Sequence, residues 1–166
     1  MSKKFDAEDV AAMILGIMKG GPLNNQISAI ETEKNAASQT LTPGLAQVDD
    51  TSYFFQTWND KILNMSPAIF YGFEDMSAID GGGVAAKKYK CFVEIVLVNN
   101  GLTDDFAHRL LRYSRALEEL FVKAFDKAAE MGKVTIEQVR PISFKVEENT
   151  SDEVMVGGIL IGLSLV

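Results

Sequence analysis

The stretch Tyr89-Lys90-Cys91-Phe92-Val93-Glu94-Ile95-Val96-Leu97-Val98-Asn99-Asn100-Gly101 decides the fold. Its β-branched and aromatic run predicts a strand, and Asn99-Asn100-Gly101 ends it with a turn signal. Thr103-Asp104-Asp105 then supplies the short polar side chains that cap a helix start. Beyond them Phe106, Leu110, Tyr113, Leu117, Leu120, Phe121, Ala124, Phe125 and Ala128 recur at three- and four-residue steps, one apolar stripe along a long helix over 103–131. Gly132 closes it. Arg140-Pro141 opens an alternating strand with Ile142, Phe144 and Val146 opposed to Ser143, Lys145 and Glu147. After a polar turn over 148–153, the last strand carries Ile159, Ile161, Leu163 and Leu165 on one face. Gly158, Gly162 and Ser164 fall on the other, where small residues let another backbone come close. Strand, helix and hairpin in that order predict an α+β domain with the helix packed on a sheet.

Working upstream, Ser66-Pro67 launches Ala68-Ile69-Phe70-Tyr71-Gly72-Phe73, which alternates as a strand and pairs with the central one as an antiparallel hairpin. Asp80-Gly81-Gly82-Gly83 is its long tip. The reading is an antiparallel sheet of about four strands in two hairpins, with the long helix on one face. Thr51 to Leu63 reads as a short helix with Phe54, Phe55, Trp58 and Ile62 on one side, Trp58 anchoring helix to sheet. Asp6 to Lys19 reads as an amphipathic helix, capped by Asp6, with Val10, Ile14 and Ile17 on its stripe and Gly20-Gly21-Pro22 ending it. Leu23 to Asp50 is polar and interrupts every period, so it is expected to be an extended arm that orders against something else. One domain covers 1–166: an N-terminal helix plus arm over 1–50, then the α+β core over 51–166.

Composition narrows the function classes. An apolar share of 47% is ordinary for a globular chain, and no apolar run approaches the roughly 20 residues of a membrane span. Asp6, Glu8 and Asp9 follow the basic start too closely for a secretory leader, and Cys91 alone makes no disulfide framework. A cytoplasmic setting without membrane partners is expected. A net charge of −7 argues against general nucleic-acid binding, although acidic walls would let DNA slide past.

Catalytic equipment is sparse. Gly81-Gly82-Gly83 does not lead from a strand into a helix and lacks the Lys-Ser/Thr of a phosphate loop. His108, the only histidine, has no metal-ligating or proton-relay neighbours at useful spacing. Glu147, Glu148, Asp152 and Glu153 lack the ligand spacing of a calcium loop. No nucleophile-elbow, zincin or Cys-x-x-Cys motif occurs. No cofactor and no enzymatic activity are expected.

Charges on the long helix say more. Arg115 can pair with Glu119, Glu119 with Lys123, and Asp105 with Arg109 at four-residue spacing. Arg112 has no acid three or four residues away. A solvated face is the plain reading. The sharper expectation is that Arg109 and Arg112 meet acids on a neighbouring subunit, with Glu147, Glu148, Asp152 and Glu153 as their complement.

The chain resembles the tail terminator, or tail completion, proteins of tailed bacteriophages. The similarity runs best over Met65 to Phe125: Ser66-Pro67-Ala68-Ile69-Phe70-Tyr71 resembles their Pro-Ala step into a strand. Phe92 to Asn100 followed by the Tyr113–Leu117–Leu120 helix is similar to their central strand–helix unit. Val139 to Val166 matches in pattern only, and Leu23–Asp50 departs from the compact members. The resemblance implies a virion protein of the tail and neck, assembled in the host cytoplasm. It would form a homo-oligomeric, commonly hexameric, ring on the tail tube protein, end tube growth and meet the neck or head connector. DNA would pass through its lumen unbound. A head-completion or stopper subunit is the neighbouring alternative, and a small-molecule-binding regulatory domain the alternative from another class.

Overall fold

The computed structural model describes residues 6–39, 44–56, 65–79, 86–99, 106–126, 133–146 and 153–165. Three helices and five strands follow in the order α1 (Ala7–Met18), α2 (Pro22–Ala36), β1 (Tyr53–Phe55), β2 (Ala68–Ile79), β3 (Ala86–Asn99), α3 (Phe106–Asp126), β4 (Lys133–Val146) and β5 (Glu153–Leu165). The class is α+β. The predicted tip glycines 81–83, Trp58 and the ends expected for the long helix lie outside the described residues.

α1 begins with a reciprocal cap. The Asp9 N–H donates to Asp6 Oδ1 at 3.0 Å and the Asp6 N–H donates to Asp9 Oδ2 at 3.3 Å, which satisfies two orphan donors of the first turn. Gly20 and Gly21 then take φ of +81° and +119°, a conformation that glycine adopts without strain, and Pro22 opens α2 with its fixed φ. The first half of the expected arm over Leu23–Asp50, up to Ala36, is therefore a helix. Leu23, Ile27 and Ile30 form a sparse stripe, and all three are fully buried. The polar residues around them are engaged: the Asn24 side chain accepts from the Val48 N–H at 2.8 Å and donates to the Val48 carbonyl at 2.9 Å. That two-pronged amide clamps the chain over 44–50 against the helix.

A second correction concerns Thr51–Leu63. Tyr53-Phe54-Phe55 is a strand rather than helix, and it lies parallel to β2 with Tyr53 opposite Ile69 and Phe55 opposite Tyr71. Consecutive aromatics suit a pleated, half-buried surface better than a helix. Tyr53 packs with the main core, whereas Phe54 joins Ala68 and Val96 on the other side of the sheet. Residues 57–64 are outside the described set.

The sheet is thus mixed and five-stranded, in the order β1-β2-β3-β5-β4. The two predicted hairpins are present and longer than read: Ala68–Ile79 pairs with Ala86–Asn99, and Lys133–Val146 with Glu153–Leu165. β5, not β4, lies next to β3, so the final strand is internal to the sheet. Its Gly158 sits between Glu94 and Arg140, and its Gly162 between Lys90 and Thr135. Pro141 falls where the β4 register shifts, between Arg140 and Ser143, as a residue without an N–H should.

One face of the sheet carries the helices. α3 lies against β3, β5 and β4, α2 against α3, and α1 against both helices. Ile69, Val93 and Ile95 from the sheet meet Ile14, Leu23, Ile27, Leu110, Leu117 and Phe121 in one core. Each such side chain contributes about 1.5–3 kcal/mol on burial.

Candidate functional site

Two regions gather polar and aromatic side chains. The first is the seam between α2 and α3. Arg115 Nη1 and Nη2 donate to the two oxygens of Glu33 at 2.9 and 2.8 Å, and its Nε donates to Glu119 Oε1 at 2.7 Å. The hydrogen bond from Arg115 holds the Glu33 carboxyl below its ordinary pKa, and Glu33 with Glu119 raises the guanidinium further. The predicted Arg115–Glu119 pair is therefore present. Lys123 does not bond Glu119 directly. The buried Gln26 amide stands between them, donating to Glu119 Oε2 at 2.7 Å and accepting from Lys123 Nζ at 2.9 Å.

Arg112 lies in the same seam. It is buried, and its Nη1 donates to Glu31 Oε2 at 3.4 Å while Nη2 donates to the Gln39 carbonyl. The acid expected on a neighbouring subunit is in its own chain, on α2. Tyr113 donates its hydroxyl proton to the Ala46 carbonyl at 2.6 Å, and burial raises its phenol pKa. One turn away, Arg109 Nε and Nη2 are buried without a hydrogen-bond partner among the described residues. His108 is exposed. Glu147, Glu148 and Asp152 lie outside the described residues, and Glu153 opens β5 opposite Asn99 and Val146. Of the six predicted interface residues, the structure describes Arg109 and Arg112 on α3 and Glu153 at the start of β5.

The second region is a cleft of about 820 Å³ at the β1 side of the helix layer. α1 offers it small residues, Ala7, Ala11 and Ala12, and one acid, Glu8. The sheet offers Phe55, Tyr71 and Phe73, with Gln56 and Glu74 at the rim. The Phe55 ring lies 5.4 Å from Tyr71 and 6.0 Å edge-on to Phe73, yet 43% of Phe55 remains exposed. Alanines on α1 are too short to fill the space opposite these rings, and that is why a cleft remains.

Gln56 finishes the β1 edge in an unusual way. Its backbone turns off at φ +54°, and its side chain takes the place of the next strand residue. The Phe73 N–H donates to Gln56 Oε1 at 3.0 Å, and Gln56 Nε2 donates to the Phe73 carbonyl at 3.2 Å. Sequence reading missed the cleft altogether; the Ala7/Ala11 spacing on α1 was its one available signal.

Cys91 is fully buried in β3, where desolvation pushes its thiol up to about 12, so it is no nucleophile near neutrality. Among the described residues there is no group of three His, Cys, Asp or Glu side chains that could hold a metal ion. No described helix is long and apolar enough to cross a membrane. No protein-family model matches the chain, and no curated protein matches it.

Proposed function

We propose that this protein is a structural subunit that assembles with copies of itself into a ring capping a phage tail tube, ending its growth and joining tail to neck. Two supports carry the reading: the strand–helix resemblance over Met65–Phe125, and a sheet whose outer strands β1 and β4 have no further strand beside them among the described residues. Exposed strand edges are pairing templates, and a repeated head-to-tail contact that closes makes a ring. The strongly charged side chains of the α2–α3 seam serve subunit stability, and none is arranged as a nucleophile, general base or metal ligand. With −7 per copy, a ring presenting that sign to its lumen would not retain DNA. The test is negative-stain microscopy and light scattering of the purified chain, alone and with tail tube protein. Ring particles that halt tube elongation are expected; a monomer that leaves tube growth unchanged would end the reading.

A second reading has one specific support. The cleft volume falls within the range typical of small-molecule sites, and apolar walls with a few polar groups at the rim suit a regulatory ligand. A metabolite screen by thermal shift separates the two. A dimer whose melting rises with one compound favours the binder, and a ring indifferent to all of them favours the terminator.

A further inference from the structure

We propose that the two outer strands of the sheet join head to tail between copies of this chain. The 143–146 end of β4 adds antiparallel to β1 of the next copy and covers the cleft beside Phe55. The inference rests on the self-assembly reading above and says which surfaces carry it.

Four observations converge on this seam. First, the Ile69 N–H donates to the Ser52 carbonyl and the Gln56 N–H to the Tyr71 carbonyl. Alternation along a strand therefore turns the N–H and C=O of Tyr53 and Phe55 away from β2. No described strand lies on that side.

Second, the directions agree. β1 is parallel to β2, β2 antiparallel to β3, β3 to β5 and β5 to β4. Laying β4 of one copy against β1 of the next, with helices on the same side, makes the junction antiparallel. That is the geometry in which adjacent edges pair most readily.

Third, the faces agree. Phe144 is in register with Met155, which is in register with Leu97 of the helix-covered core. Positions 144 and 146 are thus in register with the strand positions of the helix-covered face, the face on which the cleft lies. An added strand would bring those two positions onto the same face as the Phe55 and Phe73 rings.

Fourth, the charges are opposite. The α1 start beside the cleft carries Asp6, Glu8 and Asp9. β4 carries Lys133, Arg140 and Lys145 against Glu137 alone. Such complementarity favours the head-to-tail pairing over either edge meeting its own copy.

Cysteine cross-linking of the full-length chain tests the seam. Phe55→Cys is combined in turn with Ser143→Cys, Phe144→Cys, Lys145→Cys and Val146→Cys, and each variant is oxidised and run without reductant. β1 and β4 are at opposite ends of a five-stranded sheet, about 19 Å apart at ~4.8 Å per strand. That is too far for an internal bridge, so every link formed joins two copies. Native Cys91 is buried.

Across a strand pair, same-face residues approach within bonding reach and their neighbours point away. The expected result is a ladder of covalent multimers for the 144 and 146 variants, with the 143 and 145 variants linking at least about tenfold more slowly. Uniform linking at all four positions, or none at any, overturns the seam. Unmodified protein is weighed in parallel by light scattering. An intact oligomer with no ladder sinks this interface and leaves the ring reading standing, whereas a monomer at every concentration sinks both.

Discussion

The helix layer meets the rest of the molecule in two different ways. Along α2 and α3 the contact is closed: buried Leu23, Ile27, Leu117 and Phe121 lie beneath a lattice of Arg112, Arg115, Glu31, Glu33, Gln26 and Glu119. Between α1 and the β1–β2 edge it is open: three alanines face three aromatic rings across a cleft, and Phe55 stands 43% exposed. α3 builds the closed region with α2, and α1 builds the open one with the sheet edge. What differs is whether the side chains find their partners inside the chain. The closed seam is finished by the subunit itself, while the open one has exposed apolar surface and a strand edge that no described strand covers.

Two phenylalanines give the sharpest way to break that contrast. Phe121 is fully buried in the closed region, so Phe121→Ala should cost about 3–5 kcal/mol of subunit stability in urea unfolding. Phe55→Ala removes a ring of the same size and should cost about 0.5 kcal/mol, as exposed positions do. If the two losses came out equal, the cleft would be core, and the distinction between finished and unfinished regions would fall.

Arg112 sharpens the comparison from within the closed seam. Its side chain is 9% exposed and that of Glu31 18%, so removing the guanidinium strands a half-buried carboxylate. Arg112→Met should destabilise by about 1–3 kcal/mol. Glu31→Gln should cost less, because an amide oxygen can still accept from Arg112, which also keeps its bond to the Gln39 carbonyl. Oligomer mass should not move in either variant. A change in mass at unchanged subunit stability would return Arg112 to an intersubunit contact.

Arg112 also marks how far residue order could be read. Its lack of an acid at helical spacing points to a partner beyond α3, expected on a neighbouring subunit; the acid is Glu31 of its own chain. Which element carries it is not legible, because the residues of α2 read as an arm. That misreading has a physical source: Leu23, Ile27 and Ile30 are few, and the polar residues between them looked uncommitted. In the fold, Gln26 and Glu33 are committed to α3, 82 and more residues away for the Arg115 and Lys123 contacts. β3, α3 and β5 were legible since their periodicity runs for many residues and depends on no distant partner. β1 was not, since three aromatics carry no period, and the cleft was not, since it exists only where α1 and β1 are brought together.

The sheet interior offers a pH-dependent comparison with the exposed acids. Burial pushes the Cys91 thiol from 9.0 to about 12, and burial with the Asp50 charge pushes Tyr53 from 10.0 to about 12. Both groups are favoured neutral in the fold and lose their protons more readily when unfolded. Stability is therefore intact below about pH 9 and falls as pH rises toward 12, by up to about 1.4 kcal/mol per pH unit for each group in its window. Urea midpoints measured from pH 8 to 10.5 should decline, and Cys91→Ala should flatten the part between pH 9 and 10. An unchanged slope in that variant would mean that the thiol is hydrated in the folded protein.

A narrower contrast lies at the edge of the open region, where Gln56 stands in for a strand residue. A Cβ on Gly72 would come within 2.6 Å of Gln56 Oε1 and 3.1 Å of Phe92 Cζ. The Gln56 side chain is the more easily displaced, and once displaced it gives up both bonds to Phe73. Gly72→Ala and Gln56→Ala should therefore each cost about 1 kcal/mol, since a net hydrogen bond contributes about that much and the exposed Phe73 groups can turn to water. Because both substitutions remove the same pair of bonds, Gly72→Ala made on top of Gln56→Ala should add little. Full additivity would show that the Gly72 side of the edge is limited by the Phe92 ring instead, and that an alanine there leaves the Gln56 amide in place.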